Sequence, residues 1–165
     1  MPDRDRTQQN EQTGEDKIAR AGIYDPPEDA RGTWRRYYRK WREVTRERLD
    51  PAVLDLVAPL GDFVPPASIF DRAEYSAFSN GELSARLSRE AIDTLVISGA
   101  ETDVCVLSTS LSAVDLGYRV IIAQDALASS SDESHDALLK LYRERFDCQI
   151  EVAASAEILD AFGQS

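Results

Sequence analysis

The sequence predicts an α/β protein with a doubly wound parallel sheet, a Rossmann-like three-layer α/β/α arrangement. Short runs rich in Val and Ile alternate along the chain with stretches of helical period that carry capping signals. Such alternation is typical of parallel strands joined by helices that cover both faces of the sheet. The chain has 165 residues, 42% of them hydrophobic, which is enough for one domain with a sizeable core. In sheets of this kind the functional site lies at the carboxyl ends of the strands.

Local signals give the order of the elements. The pair Asp50-Pro51 resembles an N-cap followed by the first helical residue, and predicts a helix through Ala58. Gly117 has the pattern of a residue that ends a helix, and Ser130 to Glu133 has the spacing of a capping box. In chain order the remaining predictions are a strand at 68–70, a helix at 82–90, a strand at 94–98, a helix at 106–116, a strand at 119–123, a helix at 131–145, a strand at 149–152 and a helix at 155–162.

The N-terminal part of the chain differs from the rest in composition. Residues 1–20 are polar and without period, so we expect a disordered tail, followed by one domain over 21–165. Residues 34–48 combine seven Lys or Arg with two Trp and two Tyr. We interpret this segment as a solvated loop and short helix whose aromatic side chains pack on the domain. A contact with a small anionic substrate or with a partner subunit is the alternative.

Charge and cysteine content exclude several classes of protein. A formal net charge of −11 argues against a general nucleic-acid binder and against binding to an anionic membrane surface. The two cysteines, Cys105 and Cys148, form no CxxC pair, so nothing indicates a zinc or iron–sulfur site. No run is apolar enough for a signal peptide or a membrane span, and we expect a cytoplasmic protein with reduced thiols.

Cys105 is the strongest candidate for chemistry. It follows the predicted strand at 94–98 and a turn that begins at Gly99, and it lies where the next helix begins. Backbone N–H groups and the positive end of a helix dipole favour a thiolate at such a position and are suited to hold an oxyanion. Taken alone, the same pattern also fits a buried structural cysteine.

The residues around Cys105 resemble those of the isochorismatase-like cysteine hydrolases, a family that includes isochorismatases, nicotinamidases and N-carbamoylsarcosine amidase. The resemblance covers roughly residues 22 to 162 and makes Cys105 a nucleophile rather than a structural residue. The segments that carry it are Gly99-Ala100-Glu101-Thr102-Asp103-Val104-Cys105-Val106, Ala113-Val114-Asp115-Leu116-Gly117-Tyr118-Arg119-Val120, Asp125-Ala126, Ser129-Ser130-Ser131-Asp132 and Phe70-Asp71-Arg72-Ala73-Glu74-Tyr75-Ser76-Ala77-Phe78.

The resemblance implies a Cys–Asp–Lys triad acting on a small C–N or C–O substrate. It implies that backbone N–H groups of Glu101 and Cys105 form the oxyanion hole, with a non-proline cis peptide before Glu101. Tyr75 and Phe78 are candidates to line the substrate pocket, with packing in the core as the alternative. We expect a homo-oligomer and no cofactor. Nicotinamidases bind a metal through an Asp and two His, and because His135 is the only histidine we expect no metal site.

Two departures from the family pattern predict an impaired enzyme. Arg72 occupies the position of the triad Lys, and its planar, always charged head is not equivalent to an ammonium group. The triad Asp of the family follows a first strand ending in Asp-x-Gln, and no such run precedes Asp50. The first strand–helix unit is therefore expected to be missing. Three alternatives follow for the gap that this leaves in the sheet. The N-terminal tail fills it, another chain donates a strand or dimerises across it, or the chain is a truncated fragment.

Several assignments stay open from sequence alone. Asp25, Asp29 or Asp71 could replace the missing base, whereas Asp103 is expected to hydrogen-bond the cysteine loop. We interpret His135 as a surface or capping residue. A catalytically dead family member that acts as a binding or oligomerisation module is the alternative function.

Overall fold

The computed structural model describes residues 28 and 30–163 and, as backbone, the strand at 17–21. Its strands are β1 (Lys17–Ala21), β2 (Ser68–Arg72), β3 (Thr94–Ala100), β4 (Arg119–Ala128) and β5 (Ile150–Ala153). Its α-helices are α1 (Thr33–Lys40), α2 (Ala58–Gly61), α3 (Glu82–Arg89), α4 (Leu107–Asp115), α5 (Asp132–Arg145) and α6 (Ser155–Gly163). Every strand pair in this part of the chain is parallel, so the predicted α/β class with parallel strands is confirmed.

The described strands form two parallel sheets. β1 pairs with β2, with Ala21 opposite Arg72 at the carboxyl end, and β3, β4 and β5 are neighbours in that order. The sequence predicted a disordered tail over residues 1–20, but β1 begins at Lys17 and so includes the last four residues of that segment. The residues before Lys17 lie outside the described part of the chain. Among the described strands, β3 has a hydrogen-bonded neighbour on one side only.

The core lies between the three-stranded sheet and the helices that follow its strands. The alternate residues Val120 and Ile122 of β4 are fully buried and pack with Ala113 of α4 and Tyr142 of α5. A smaller cluster, in which Leu83 and Leu87 of α3 pack with Ala77, covers the loop after β2. Together the two clusters fix the ends of β2 and β3 relative to α4.

Several element bounds differ from prediction. The expected helix from Asp50 through Ala58 is replaced by a 3₁₀ turn at Pro51–Val53 and the short α2, although Asp50 does cap the turn by accepting a hydrogen bond from the Ala52 N–H at 3.0 Å. Val53 and Val57 are each about two-thirds exposed, so no apolar face is buried that would hold one continuous helix. β4 extends to Ala128, five residues beyond prediction, because its last residues pair with the end of β3.

Candidate active site

The cysteine loop follows β3 and is wound more widely than an α-helix. Gly99 has a φ of +115°, and a cis peptide joins Ala100 to Glu101, the bond at which the sequence resemblance implies one. Thr102–Val106 then form a π-helical turn that continues into α4. π-helical turns are rare and frequently occur at functional sites.

The backbone of this turn holds the half-buried Cys105 at its last-but-one residue. The Glu101 carbonyl accepts hydrogen bonds from the N–H groups of Val104 at 3.2 Å and Val106 at 3.0 Å, but not from the N–H of Cys105 between them. This arrangement fastens the turn on both sides of the cysteine. The N–H of Cys105 takes no part in those two bonds.

A cavity of about 200 Å³ opens beside Cys105. The side chains of Arg72, Phe78 and Cys105 line it, together with apolar residues of α3 and β3. Tyr75 does not belong to the lining, and its ring packs instead against Trp34 of α1 with centroids 4.7 Å apart. The predicted thiol, cation and one of the two predicted pocket aromatics therefore meet at one cavity.

Arg72 is the last residue of β2 and is partly buried. Its Nη1 donates to the backbone carbonyl of Glu74, and its buried Nε has no hydrogen-bond partner among the described residues. Asp71, one residue earlier in the strand, is exposed, because successive side chains of a strand point to opposite faces. Of the open candidates for a base, Asp71 thus lies on the face opposite Arg72, while Asp25 and Asp29 lie outside the described residues.

A group of hydroxyl and carboxylate side chains braces the loop from the side of β4. The Glu101 carboxylate accepts a hydrogen bond from the Ser130 N–H at 2.6 Å and lies 3.1 Å from the Ser129 hydroxyl oxygen. The Ser129 hydroxyl also lies 2.6 Å from the Asp103 carboxylate. The hydrogen bond from the Ser130 backbone is the main cause that lowers the pKa of Glu101, and the bond from Ser129 is the main cause that lowers that of Asp103. Asp103 therefore contacts Ser129 after β4, whereas the sequence predicted a hydrogen bond within the cysteine loop.

Thr102 and His135 form a second brace, which the sequence did not predict. The side chain of Thr102 is fully buried, and its hydroxyl donates to the Ala128 carbonyl at 3.1 Å and lies 2.9 Å from Nδ1 of His135. A hydroxyl has one proton to donate, so the contact with His135 requires the imidazole to donate from Nδ1. His135 is thus half-buried and engaged with the cysteine loop, rather than the surface or capping residue expected. Ser131, not Ser130, caps α5, accepting from the Ser134 N–H at 3.2 Å.

The described residues hold no group of three or more His, Cys, Asp or Glu side chains that could bind a metal ion. In the same part of the chain, none of the helices is both long and apolar enough to cross a membrane. Cys148, the second thiol, is exposed and lies far along the chain after α5.

Comparison with known proteins agrees with this arrangement. The family model of the isochorismatase domain matches residues 10–156. The chain belongs to the isochorismatase family. Its resemblance to that family, read from the sequence around Cys105, is therefore confirmed.

Individual relatives of this isochorismatase-family chain are distant. An uncharacterized family protein of Bacillus subtilis, YwoC, is 35% identical over 92 residues, which cover 52% of this chain and 49% of that protein. A maleamate amidohydrolase of Pseudomonas putida is 26% identical over 117 residues, covering 70% of this chain and 53% of that one. The chain spans about half the length of the curated relatives it matches.

Solved structures show the same fold. The crystal structure of an isochorismatase family protein from Desulfovibrio vulgaris superposes with a TM-score of 0.73 at 18% identity, covering 89% of this chain and 74% of that one. At such identity the likeness establishes the α/β fold and not the reaction.

Proposed function

We propose that this chain is a cysteine hydrolase that acts on a small C–N or C–O substrate through Cys105. The observation that carries the proposal is the position of Cys105 in the π-helical turn after β3, at the wall of a cavity that it shares with Arg72. The guanidinium of Arg72 in the same cavity supports the proposal, because it supplies positive charge for an anionic acyl-transfer intermediate. The amidohydrolase among its relatives supports an acyl-transfer reaction.

The reaction follows from these groups. The Cys105 thiolate attacks the substrate carbonyl carbon, and the carbonyl electron pair moves onto oxygen, where the N–H groups of Glu101 and Cys105 stabilise it. Collapse of this intermediate breaks the bond to the leaving nitrogen or oxygen, which takes a proton from water. The hydroxide left by that water then adds to the thioester carbonyl, and collapse breaks the carbon–sulfur bond, releasing the carboxylic acid and restoring the thiolate.

The cavity lining contains no Asp or Glu side chain among the described residues. Positioned acid–base groups contribute typically 10²–10⁴-fold, so with the described residues alone we propose that turnover is slow. The same observation favours a second candidate, a family member that binds small molecules or other subunits without turning substrate over.

The first test compares the two thiols of the folded protein. Cys105 is half-buried and Cys148 is exposed, so without activation Cys105 would react more slowly with iodoacetamide. We expect Cys105 to be alkylated about tenfold faster than Cys148 at pH 7, and to lose that advantage in urea. Equal or slower alkylation of Cys105 in the folded protein would refute an activated nucleophile.

The second test measures turnover of a panel of small amides and esters. Cys105→Ser is expected to abolish hydrolysis, while Cys148→Ser serves as the matched control and leaves it unchanged. Hydrolysis that persists in Cys105→Ser would contradict the proposal. A rapid Cys105 alkylation without any turnover would favour the binding module.

A further inference from the structure

The strongest concentration of positive charge in this acidic chain lies in and just after α1, the helix whose Trp34 contacts Tyr75. Residues 31–48 contain eight Lys or Arg against two Glu, whereas the whole chain has a net charge of −11. All eight of these basic side chains are exposed. We call them the basic rim; its members are Arg31, Arg35, Arg36, Arg39, Lys40, Arg42, Arg46 and Arg48. A solvated helix face is the simplest explanation of such charge. The position of the basic rim relative to Cys105 therefore decides whether the rim can influence binding at that residue.

Ring contacts fix α1 next to the segment that follows Arg72. Trp34 of α1 packs edge-on against Tyr75 with centroids 4.7 Å apart, and it stacks on the buried Tyr38 of the same helix at 6.1 Å. The aromatic face of α1 is thereby used for packing. The arginines between these aromatic residues are left in solvent.

The segment that holds Tyr75 is in turn fastened to the helix that begins after Cys105. The Ser76 hydroxyl donates to the Ser112 hydroxyl at 2.9 Å, and the Ala77 N–H donates to the Thr109 hydroxyl at 3.1 Å. Burial first, then Tyr37 of α1, and then Cys105 raise the pKa of the Tyr75 hydroxyl.

The acidic side chains near the site are distributed over both of its sides. Glu101 and Asp103 accept hydrogen bonds from Ser129 and Ser130 after β4, whereas Asp71 and Glu74 flank Arg72 in the chain. Among the described residues that line the cavity, Arg72 is the one Lys, Arg, Asp or Glu side chain. An approaching molecule therefore meets positive charge on the α1 side and in the cavity.

We propose that the basic rim attracts anions to Cys105, so that the substrate of this site is a small acyl compound that carries a carboxylate. This inference rests on the proposed function and adds the charge of the substrate. A cluster of like charges beside a cleft raises the local concentration of oppositely charged molecules and their on-rates by 10-fold or more. Because the rim is exposed, salt screens its effect over about 8–10 Å at physiological ionic strength.

Two alkylating agents test this directly. Iodoacetate and iodoacetamide present the same electrophilic carbon, and in both cases the thiolate displaces iodide, but only iodoacetate is an anion. The experiment uses the full chain with Cys148→Ser and measures both rates for Cys105 and for a small uncharged thiol. At low ionic strength we expect the iodoacetate-to-iodoacetamide ratio of Cys105 to exceed that of the reference thiol about tenfold, and to fall toward it in 0.5 M salt.

Charge reversal assigns the effect to the rim. The double variant Arg35→Glu, Arg36→Glu is expected to lower the ratio about fivefold or more while the iodoacetamide rate stays within twofold. The matched control is Lys140→Glu, Arg145→Glu in the second half of α5, which makes the same change in net charge and leaves the ratio unchanged. Circular dichroism verifies that both variants are folded.

The outcomes separate this inference from the proposed function. Fast iodoacetamide alkylation with a ratio equal to that of the reference thiol overturns the anion preference and leaves the nucleophile intact. Slow iodoacetamide alkylation of Cys105 refutes the nucleophile itself. A raised ratio that the rim and control variants lower equally would mean that net charge, and not the rim, is responsible, and would also overturn the inference.

Discussion

Replacing Thr102 by Val tests the brace between the cysteine loop and His135. Valine keeps the shape of the buried side chain and removes the hydroxyl, so the Ala128 carbonyl and the His135 Nδ1–H both lose a partner. Each unsatisfied buried group costs about 1–3 kcal/mol. Ala128 is exposed and His135 is half-buried, so water replaces part of what is lost. We therefore expect a loss of about 1–2 kcal/mol in the free energy of unfolding.

Two measurements follow the change. Urea unfolding gives the stability, with Thr33→Val, an exposed threonine at the start of α1, as the control that changes it by less than about 0.5 kcal/mol. The imidazole ¹⁵N resonances give the tautomer without ambiguity, because His135 is the only histidine. In the parent protein neutral His135 should carry its proton on Nδ1, and in Thr102→Val the Nε2–H form should gain population. Unchanged stability together with unchanged resonances would refute the brace.

Two further predictions concern stability alone. Ile122→Ala truncates a fully buried side chain of β4 and should lower the free energy of unfolding in urea by about 2–5 kcal/mol. Val53 is about two-thirds exposed, so the control Val53→Ala should lower it by less than about 0.5 kcal/mol. Similar losses for both variants would contradict the assigned core. The Ser155 hydroxyl and N–H donate to the Asp125 carboxylate at 2.6 and 2.7 Å and lower its pKa. Ionised Asp125 therefore stabilises the fold above its unfolded pKa of about 3.9, and this contribution is lost as the pH falls through the lower folded value. Asp125→Asn should reduce the melting temperature at pH 7 but not near pH 2, and a difference that persists near pH 2 would contradict this.

Local sequence signals predicted the helices that have a clear boundary residue and an amphipathic pattern. The helix at Glu82–Arg89 and the end of α4 before Gly117 lie within one residue of prediction, because a left-handed glycine marks a boundary of each. The helix predicted from Asp50 failed although its cap formed. A cap starts a turn, but only buried apolar surface extends it into a helix, and this segment buries little.

Sequence motifs pointed to Cys105 and Arg72 as residues of the candidate site. They did not predict the side chains that brace the cysteine loop. Cys105 and Arg72 lie within short motifs, whereas the groups that brace the loop come from 26 to 33 residues later in the chain. They meet the loop because β3 and β4 pair in parallel with Ala100 opposite Ala128, so that both strands end at the same edge. No local pattern encodes that register, which is why His135 was expected at the surface.

Strand geometry also explains what the cavity provides chemically. The alternation that turns Arg72 toward the cavity turns its acidic neighbour Asp71 to solvent, so one strand end delivers a cation without a carboxylate. In the proposed reaction a cation and the oxyanion N–H groups favour attack, because both stabilise negative charge. Neither moves a proton to the leaving group or removes one from the hydrolytic water. The described residues are therefore better suited to form a thioester than to hydrolyse it, and an acyl-enzyme that accumulates in a rapid-quench experiment would be the kinetic consequence.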